Sequence, residues 1–158
     1  MADSRPLLLL DVEGVLFPTG PTTPAGFTEV RHGRFDVRYS RRHSVWLREL
    51  ASSYELTWAT TWEHWANEVF SPLLRIPPLE VITFRGHTGP TVPATRKLPD
   101  VIDAVGDRAV AWIDDNLFAD AEAWASGRGA PTLLVRTDPA VGMTEHDVDR
   151  LREFVADE

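Results

Sequence analysis

A mainly parallel α/β sheet flanked by helices is the fold this sequence predicts, and three observations carry the prediction. Residues 7–10 are four leucines in a row between a proline and an acid, the pattern of a strand buried on both faces. Apolar runs of similar length recur at 54–60, 81–84, 109–113 and 132–135. Between them lie stretches with helical spacing, and strands alternating with helices imply parallel crossovers in a Rossmann-like arrangement.

Composition bounds the rest. A chain of 158 residues that is 43% apolar builds one core without staples, so a single domain over 1–158 is expected. The absence of cysteine excludes a disulfide framework, a thiolate metal site and a cysteine nucleophile. The opening MADSRPLLLLDVEG carries an acid at position 3 and an apolar run that stops at Leu10. That is neither a signal peptide nor a spanning helix, and a cytoplasmic protein with no membrane partner is expected. A net charge of −8 makes bulk nucleic-acid binding an unfavourable reading. Of sixteen basic residues fifteen are arginine, and Lys97 is the single lysine.

The elements follow in order. After the first strand, residues 16–26 hold three prolines and two glycines, which is loop punctuation. Val30, Phe35, Val37 and Tyr39 alternate around His32 and Gly33, predicting a β-hairpin insertion over about 27–40. Ser40 is placed to cap a helix through about 52, with Val45, Trp46 and Leu50 at helical spacing. The strand over 54–60 leads to a helix for which Thr61 is the expected cap, with Glu63, Asn67 and Glu68 on its polar face and Trp65, Val69 and Phe70 on its apolar one. Pro77 and Pro78 end that unit, and a third strand is expected over 81–84. A Gly-, Pro- and Thr-rich loop over 85–96 precedes a helix over 98–105 closed by Gly106. The fourth strand, 109–113, releases Asp114 and Asp115, and a helix over 118–126 closes at Gly127. After the fifth strand Thr144 opens the last helix with a T-x-x-D capping pattern, its apolar side carried by Val148, Leu151 and Val155.

Polar residues gather where the strands end. In an open α/β sheet the ligand crevice lies beyond the carboxyl ends of the strands, which is where Asp11 with Glu13, Thr60, and Asp114 with Asp115 are released, while Lys97 stands at a helix start. Taken singly these are an acidic turn, a cap, a surface lysine and a helix N-terminus. Their agreement points to phosphoryl chemistry. Converging carboxylates suit Mg²⁺, an Asp held there can attack phosphorus, and a hydroxyl and an ammonium offset charge on the transferring oxygens.

The order D-x-E-G-V after a hydrophobic strand, T after a second, K at a helix start and D-D after a later strand resembles the haloacid dehalogenase-like superfamily of phosphohydrolases. The resemblance covers residue 7 to about 124. A receiver domain carries similar groups with its lysine last, whereas here Lys97 precedes the D-D pair. The resemblance implies that Asp11 is nucleophile and metal ligand. Glu13 stands where the family usually has a second Asp, the general acid and later base, whose backbone carbonyl also binds the metal. Thr60 matches the phosphate-binding hydroxyl, with Thr61 as its rival. Lys97 pairs with the nucleophile and the phosphoryl oxygens. Asp114 and Asp115 complete the metal shell, the direct ligand between them being open. The implied activity is Mg²⁺-dependent hydrolysis of a phosphomonoester through an aspartyl-phosphate. The extra methylene of Glu13 raises a rival, a phosphate-binding or interaction module with weak or no turnover. Transfer of the phosphoryl group to another acceptor is a third reading.

Neither 14–53 nor 62–96 contains a separate folding unit, so a capless member with an open cleft is expected, beside an arginine-bearing hairpin. Arg34 and Arg38, of equal parity in the hairpin, and Trp62, as a surface for a base, are candidate contacts to a phosphorylated substrate of unspecified identity. Trp65 is expected in the core. His32, His43, His64 and His87 lack metal-ligand spacing and are expected on the surface or in loops. Oligomeric state is open.

Overall fold

The structure, a computed structural model, describes residues 5–85 and 94–157. Most of the expected loop over 85–96, and His87 with it, lie outside the described residues. The chain runs β1 (Leu7–Leu10), β2 (Thr28–His32), β3 (Phe35–Tyr39), α1 (Arg41–Leu50), β4 (Glu55–Trp58), α2 (His64–Leu73), β5 (Glu80–Val81), α3 (Leu98–Val105), β6 (Val110–Asp114), α4 (Ala119–Gly127), β7 (Thr132–Arg136) and α5 (Glu145–Ala156).

Every leucine of β1 is buried, and the pleat explains why four are needed. Leu8 and Leu10 enter one core with Leu56, Trp58 and Ile113, covered by α1, α2 and α5, while Leu7 and Leu9 enter a second with Val110 and Trp112, covered by α3 and α4. A strand with apolar matter on both sides has no position for a polar residue until it ends. β1 pairs in parallel with β4 and β6, giving the order β5-β4-β1-β6-β7, with β2 and β3 as a separate antiparallel hairpin. The chain first builds outward from β1 to β4 and β5, then crosses to β6 and β7. Its direction of growth therefore reverses beside β1, the switch point where such sheets open a crevice.

Local chemistry sets the helix ends. The Ser40 hydroxyl accepts the Arg42 N–H at 3.2 Å and starts α1, and Thr144 with Asp147 closes a reciprocal capping box on α5. Several expectations need correction. Val45 of α1 faces solvent, 63% exposed, and the buried stripe is instead His43, Trp46, Leu47 and Leu50. His43 is thus a core residue, its Nε2 2.9 Å from the Met143 carbonyl. Thr61 caps nothing. The chain makes a turn first, with Thr60 Oγ1 accepting the Trp62 N–H, and α2 begins only at His64. Asn67 is half-buried and fully engaged. Its amide holds the Trp58 indole, the Ser71 hydroxyl and both backbone groups of Leu79, fixing α2 against β4 and β5. The strand expected over 81–84 is the two-residue β5, because Glu63 Oε2 takes the Phe84 N–H at 3.1 Å and draws the chain off the ladder. Among the described residues no helix is long and apolar enough to cross a membrane.

Candidate active site

The parallel register decides which residues meet. Leu10 is level with Trp58 on one side and Ile113 on the other, so the next residue of each chain segment, Asp11, Ala59 and Asp114, arrives at the same edge of the sheet. Lys97, at the entrance to α3, closes the group. Its Nζ lies 3.0 Å from Asp11 Oδ1 and donates to Asp114 Oδ2 at 2.7 Å and to the Ala59 carbonyl at 2.8 Å. An ammonium carries three protons, and three acceptors surround it. A planar guanidinium would not present three donors from one atom, which gives the lone lysine of an arginine-rich chain a geometric reason. The turn ahead of Lys97 is tied down by Thr95, whose N–H and hydroxyl bond Asp120 at 2.9 and 2.7 Å while its oxygen accepts the Phe118 N–H.

Asp115 completes an acidic cluster: one carboxylate oxygen each from Asp11, Asp114 and Asp115 lie within 4.8 Å of one another. Burial first, and the charge of Asp114 second, push the Asp11 carboxyl well above the ordinary carboxylate range despite Lys97. The same two causes raise Asp115. Burial works to lower the Lys97 ammonium, but the charges of Asp11 and Asp114 outweigh it and the net shift is upward. Three carboxylates against one ammonium leave two negative charges in a nearly dry site, and a hard-oxygen donor set of that charge fits one divalent cation. Close packing keeps the cluster together. Gly14, at φ +82°, leaves room for Asp115, since a Cβ there would stand 2.6 Å from Asp115 Cγ. The Thr137 hydroxyl donates to the Gly14 carbonyl at 2.7 Å, and its N–H donates to the Asp114 carbonyl at 3.1 Å. Asp114 Oδ1 accepts the Asn116 N–H at 2.9 Å in an Asx turn.

Glu13 sits at the rim. The Val12 carbonyl accepts the N–H groups of Val15, Leu16 and Phe17, winding a tight turn that leaves Glu13 exposed. Its Oε1 accepts the Trp62 indole N–H at 3.0 Å. Thr60 is fully buried, next to the carbonyl that binds Lys97, and Thr61 is exposed. A pocket of about 370 Å³ opens beside Glu13, lined by Phe17, Glu29, Asp36 and Arg38 among others.

The structure thus brings Asp11, Lys97, Asp114 and Asp115 together, with Thr60 and Glu13 beside them. It does not bring Arg34 and Arg38 onto one face. Arg34 lies in the hairpin turn outside the paired strands, so strand parity does not apply to it. Arg38 is occupied with the Pro18 and Gly20 carbonyls and with Glu29. Trp65 is only half-buried, stacked on Trp62. Three contributors escaped the sequence reading: the Ala59 carbonyl, the Asn116 N–H and the indole of Trp62 as a hydrogen-bond donor. Two of these are backbone groups and carry no residue signal. The D-D-N order could have announced the Asx turn. The Trp62 bond needed the register of two loops.

A comparison with curated proteins gives no match. Residues 7–148 match the model of a family described as the HAD domain in Swiss Army Knife RNA repair proteins. The matched span takes in β1, the acidic cluster and Lys97, and the chain belongs to this family, within the HAD-like superfamily of phosphohydrolases.

Proposed function

We propose that this domain hydrolyses a phosphomonoester through a phosphorylated Asp11, with Mg²⁺ held by Asp11, Asp115 and Asp114 and by the backbone carbonyl of Glu13. The observation that carries the reading is the Lys97 ammonium, fixed by two carboxylates and a carbonyl at the strand ends of a HAD domain. In the first step an Asp11 oxygen forms a bond to phosphorus as the bond to the leaving oxygen breaks, and the Glu13 carboxyl gives that oxygen its proton. In the second step water attacks phosphorus, its proton passes to Glu13, and the Asp11–phosphorus bond breaks. Lys97 offsets charge on the phosphoryl oxygens throughout. Thr60 is our choice for the phosphate-binding hydroxyl, because the Trp62 N–H fixes its oxygen beside the Ala59 carbonyl. The cation supplies further neutralisation of the transferring group when bound.

The Glu13–Trp62 bond favours turnover over a site that merely binds phosphate, since it holds the long carboxyl in one place. For the substrate, the family's description as a domain of RNA repair proteins supports a phosphate at an RNA end. An exposed rim at Glu13 is consistent with a leaving group too large to enclose. Phosphate release from 3′- and 5′-phosphorylated oligoribonucleotides and from small monoesters, with and without Mg²⁺, tests the proposal. Asp11→Asn is expected to reduce release by at least about a thousandfold, as loss of a nucleophile does. Equal rates for the two proteins would remove Asp11 from the mechanism.

A further inference from the structure

The geometry points to Trp62 as a positioning residue for proton transfer: its indole N–H holds the carboxyl of Glu13, the group proposed above to protonate the leaving oxygen of the ester. This inference rests on the hydrolase reading given above and adds to it a residue outside the four motifs. Glutamate is one methylene longer than aspartate and has one more rotor, so an unrestrained Glu13 carboxyl at an exposed rim would sample many positions. Displacement of a reacting group by about 1 Å costs roughly a hundredfold in rate. Something must restrain the group if it is to serve, and the Trp62 Nε1–H to Glu13 Oε1 bond, 3.0 Å, does so from one side.

That donor is itself fixed. The Trp62 ring stacks on Trp65 at 4.5 Å between centroids and 30° between planes, and meets the edges of Phe70 at 5.1 Å and Phe17 at 6.2 Å. Packing on three sides leaves the indole few rotamers. Its backbone is also held, because the Trp62 N–H bonds Thr60 Oγ1, and the following residue, Glu63, sits at φ 52° and ψ −129°, a conformation rare for a residue with a side chain. Glu63 is kept there by its bond to the Phe84 N–H. Such strain persists only where surroundings over-determine it, and here it delays α2 until His64, so that Trp62 lies in a turn facing Glu13 instead of on the helix. The indole is a donor only, so it binds one Glu13 oxygen by its lone pairs and leaves the other oxygen for the substrate.

Steady-state kinetics on phenyl phosphate and 2,4-dinitrophenyl phosphate test the role. The two esters have similar shape, but phenolate needs a proton as it leaves and dinitrophenolate does not. The ratio kcat/KM isolates phosphoryl transfer to Asp11 from the later water attack. Trp62→Phe keeps a ring in the stack and removes the N–H. It is expected to lower kcat/KM on phenyl phosphate by about tenfold to a hundredfold, and by less than about twofold on the dinitrophenyl ester. Trp65→Phe, which removes the neighbouring indole, is expected to affect both esters alike. Equal loss on both esters in Trp62→Phe, or loss on neither, overturns the positioning role while leaving the hydrolase reading intact. A wild type inert toward both esters and toward phosphorylated RNA ends overturns the hydrolase reading, and the role in proton transfer falls with it. The contact has its own readout: in ¹H–¹⁵N spectra Glu13→Ala is expected to move the Trp62 indole resonance more than any other indole, and an unmoved Trp62 resonance overturns the contact.

Discussion

Single residues in this fold are placed by what their neighbours leave unsatisfied. His43 is the clearest instance. It lies at 1% exposure among Phe27, Trp46 and Met143, with Nε2 facing the Met143 carbonyl. The carbonyl can only accept, so Nε2 carries a proton. Burial pulls its pKa from 6.5 to about 4, with the nearby Arg42 adding to the shift and the Met143 bond opposing it. A base whose pKa is depressed in the folded state binds fewer protons there than in the unfolded chain between these two values. Stability is therefore full above about pH 6.5 and is lost as pH falls toward 4. The shift corresponds to about 3 kcal/mol at most. Urea unfolding of wild type and His43→Phe across that range is expected to show a steeper acid loss in wild type by about that amount, and parallel curves would contradict the assignment. Nothing in the sequence announced this burial, since a histidine directly after the Arg41–Arg42 pair has the look of a solvated face. The clustered carboxylates were legible because they follow apolar runs, whereas a polar residue satisfied by a backbone carbonyl 100 residues away leaves no local mark.

Among the elements, the hairpin is the least integrated and is held by few contacts. Of β2 and β3 only Val37 is fully buried. The hairpin was legible, but its turn falls one residue later than the expected His32–Gly33: Gly33 and Arg34, with the glycine at φ +62°, join strands paired from Thr28 with Tyr39 to His32 with Phe35. Its docking was not legible. Arg38 spreads its guanidinium between the Pro18 carbonyl at 3.0 Å and the Gly20 carbonyl at 2.7 Å, with Glu29 at 3.3 Å across the strand pair. Nη1 donates to both carbonyls while Nε of the same planar group donates to Glu29, and a lysine's single nitrogen cannot reach all three acceptors from two fixed positions. Arg38→Ala is accordingly expected to speed amide exchange across β2 and β3 and to cost about 2 kcal/mol of stability, the scale of charge-assisted hydrogen bonds, with Arg38→Lys restoring little of either. Unchanged exchange in the hairpin would show that its apolar contacts, Val37 in the core and His32 and Phe35 against Trp65, anchor it without Arg38. The misjudged start of α2 and the shortened β5 have a related cause. Glu63 and Asn67 look like a polar helix face in the sequence, and tertiary partners, Phe84, Leu79 and Trp58, claim them instead.

For the whole molecule, the parallel sheet is what turns scattered acids into a site, and it does so against electrostatics. Asp11 is separated from Asp114 and Asp115 by about a hundred residues of chain, yet the register of β1 with β6 brings one oxygen of each within 4.8 Å of the others. This order was legible, because buried parallel strands write themselves as apolar runs with their functional residues at the ends. The energetic consequence was not. Burial and mutual repulsion raise Asp11 and Asp115, and Lys97 neutralises only part of the charge. Folding therefore assembles a cluster whose charge a divalent cation would relieve, and anything that binds the folded chain alone raises its stability by mass action. At ten times its dissociation constant Mg²⁺ adds about 1.4 kcal/mol, which for a chain of this size moves the unfolding midpoint by roughly 3–5 °C. Thermal unfolding of wild type with Mg²⁺ is expected to show that rise and EDTA to reverse it. Asp115→Asn, which removes one repelling charge, is expected to unfold at or above the metal-free wild-type midpoint and to gain little from Mg²⁺. The measurement needs no turnover, so it separates the cation site from the chemistry: a wild-type midpoint indifferent to Mg²⁺ would mean that the cluster holds no cation, and an equal rise in Asp115→Asn that the cation binds without Asp115.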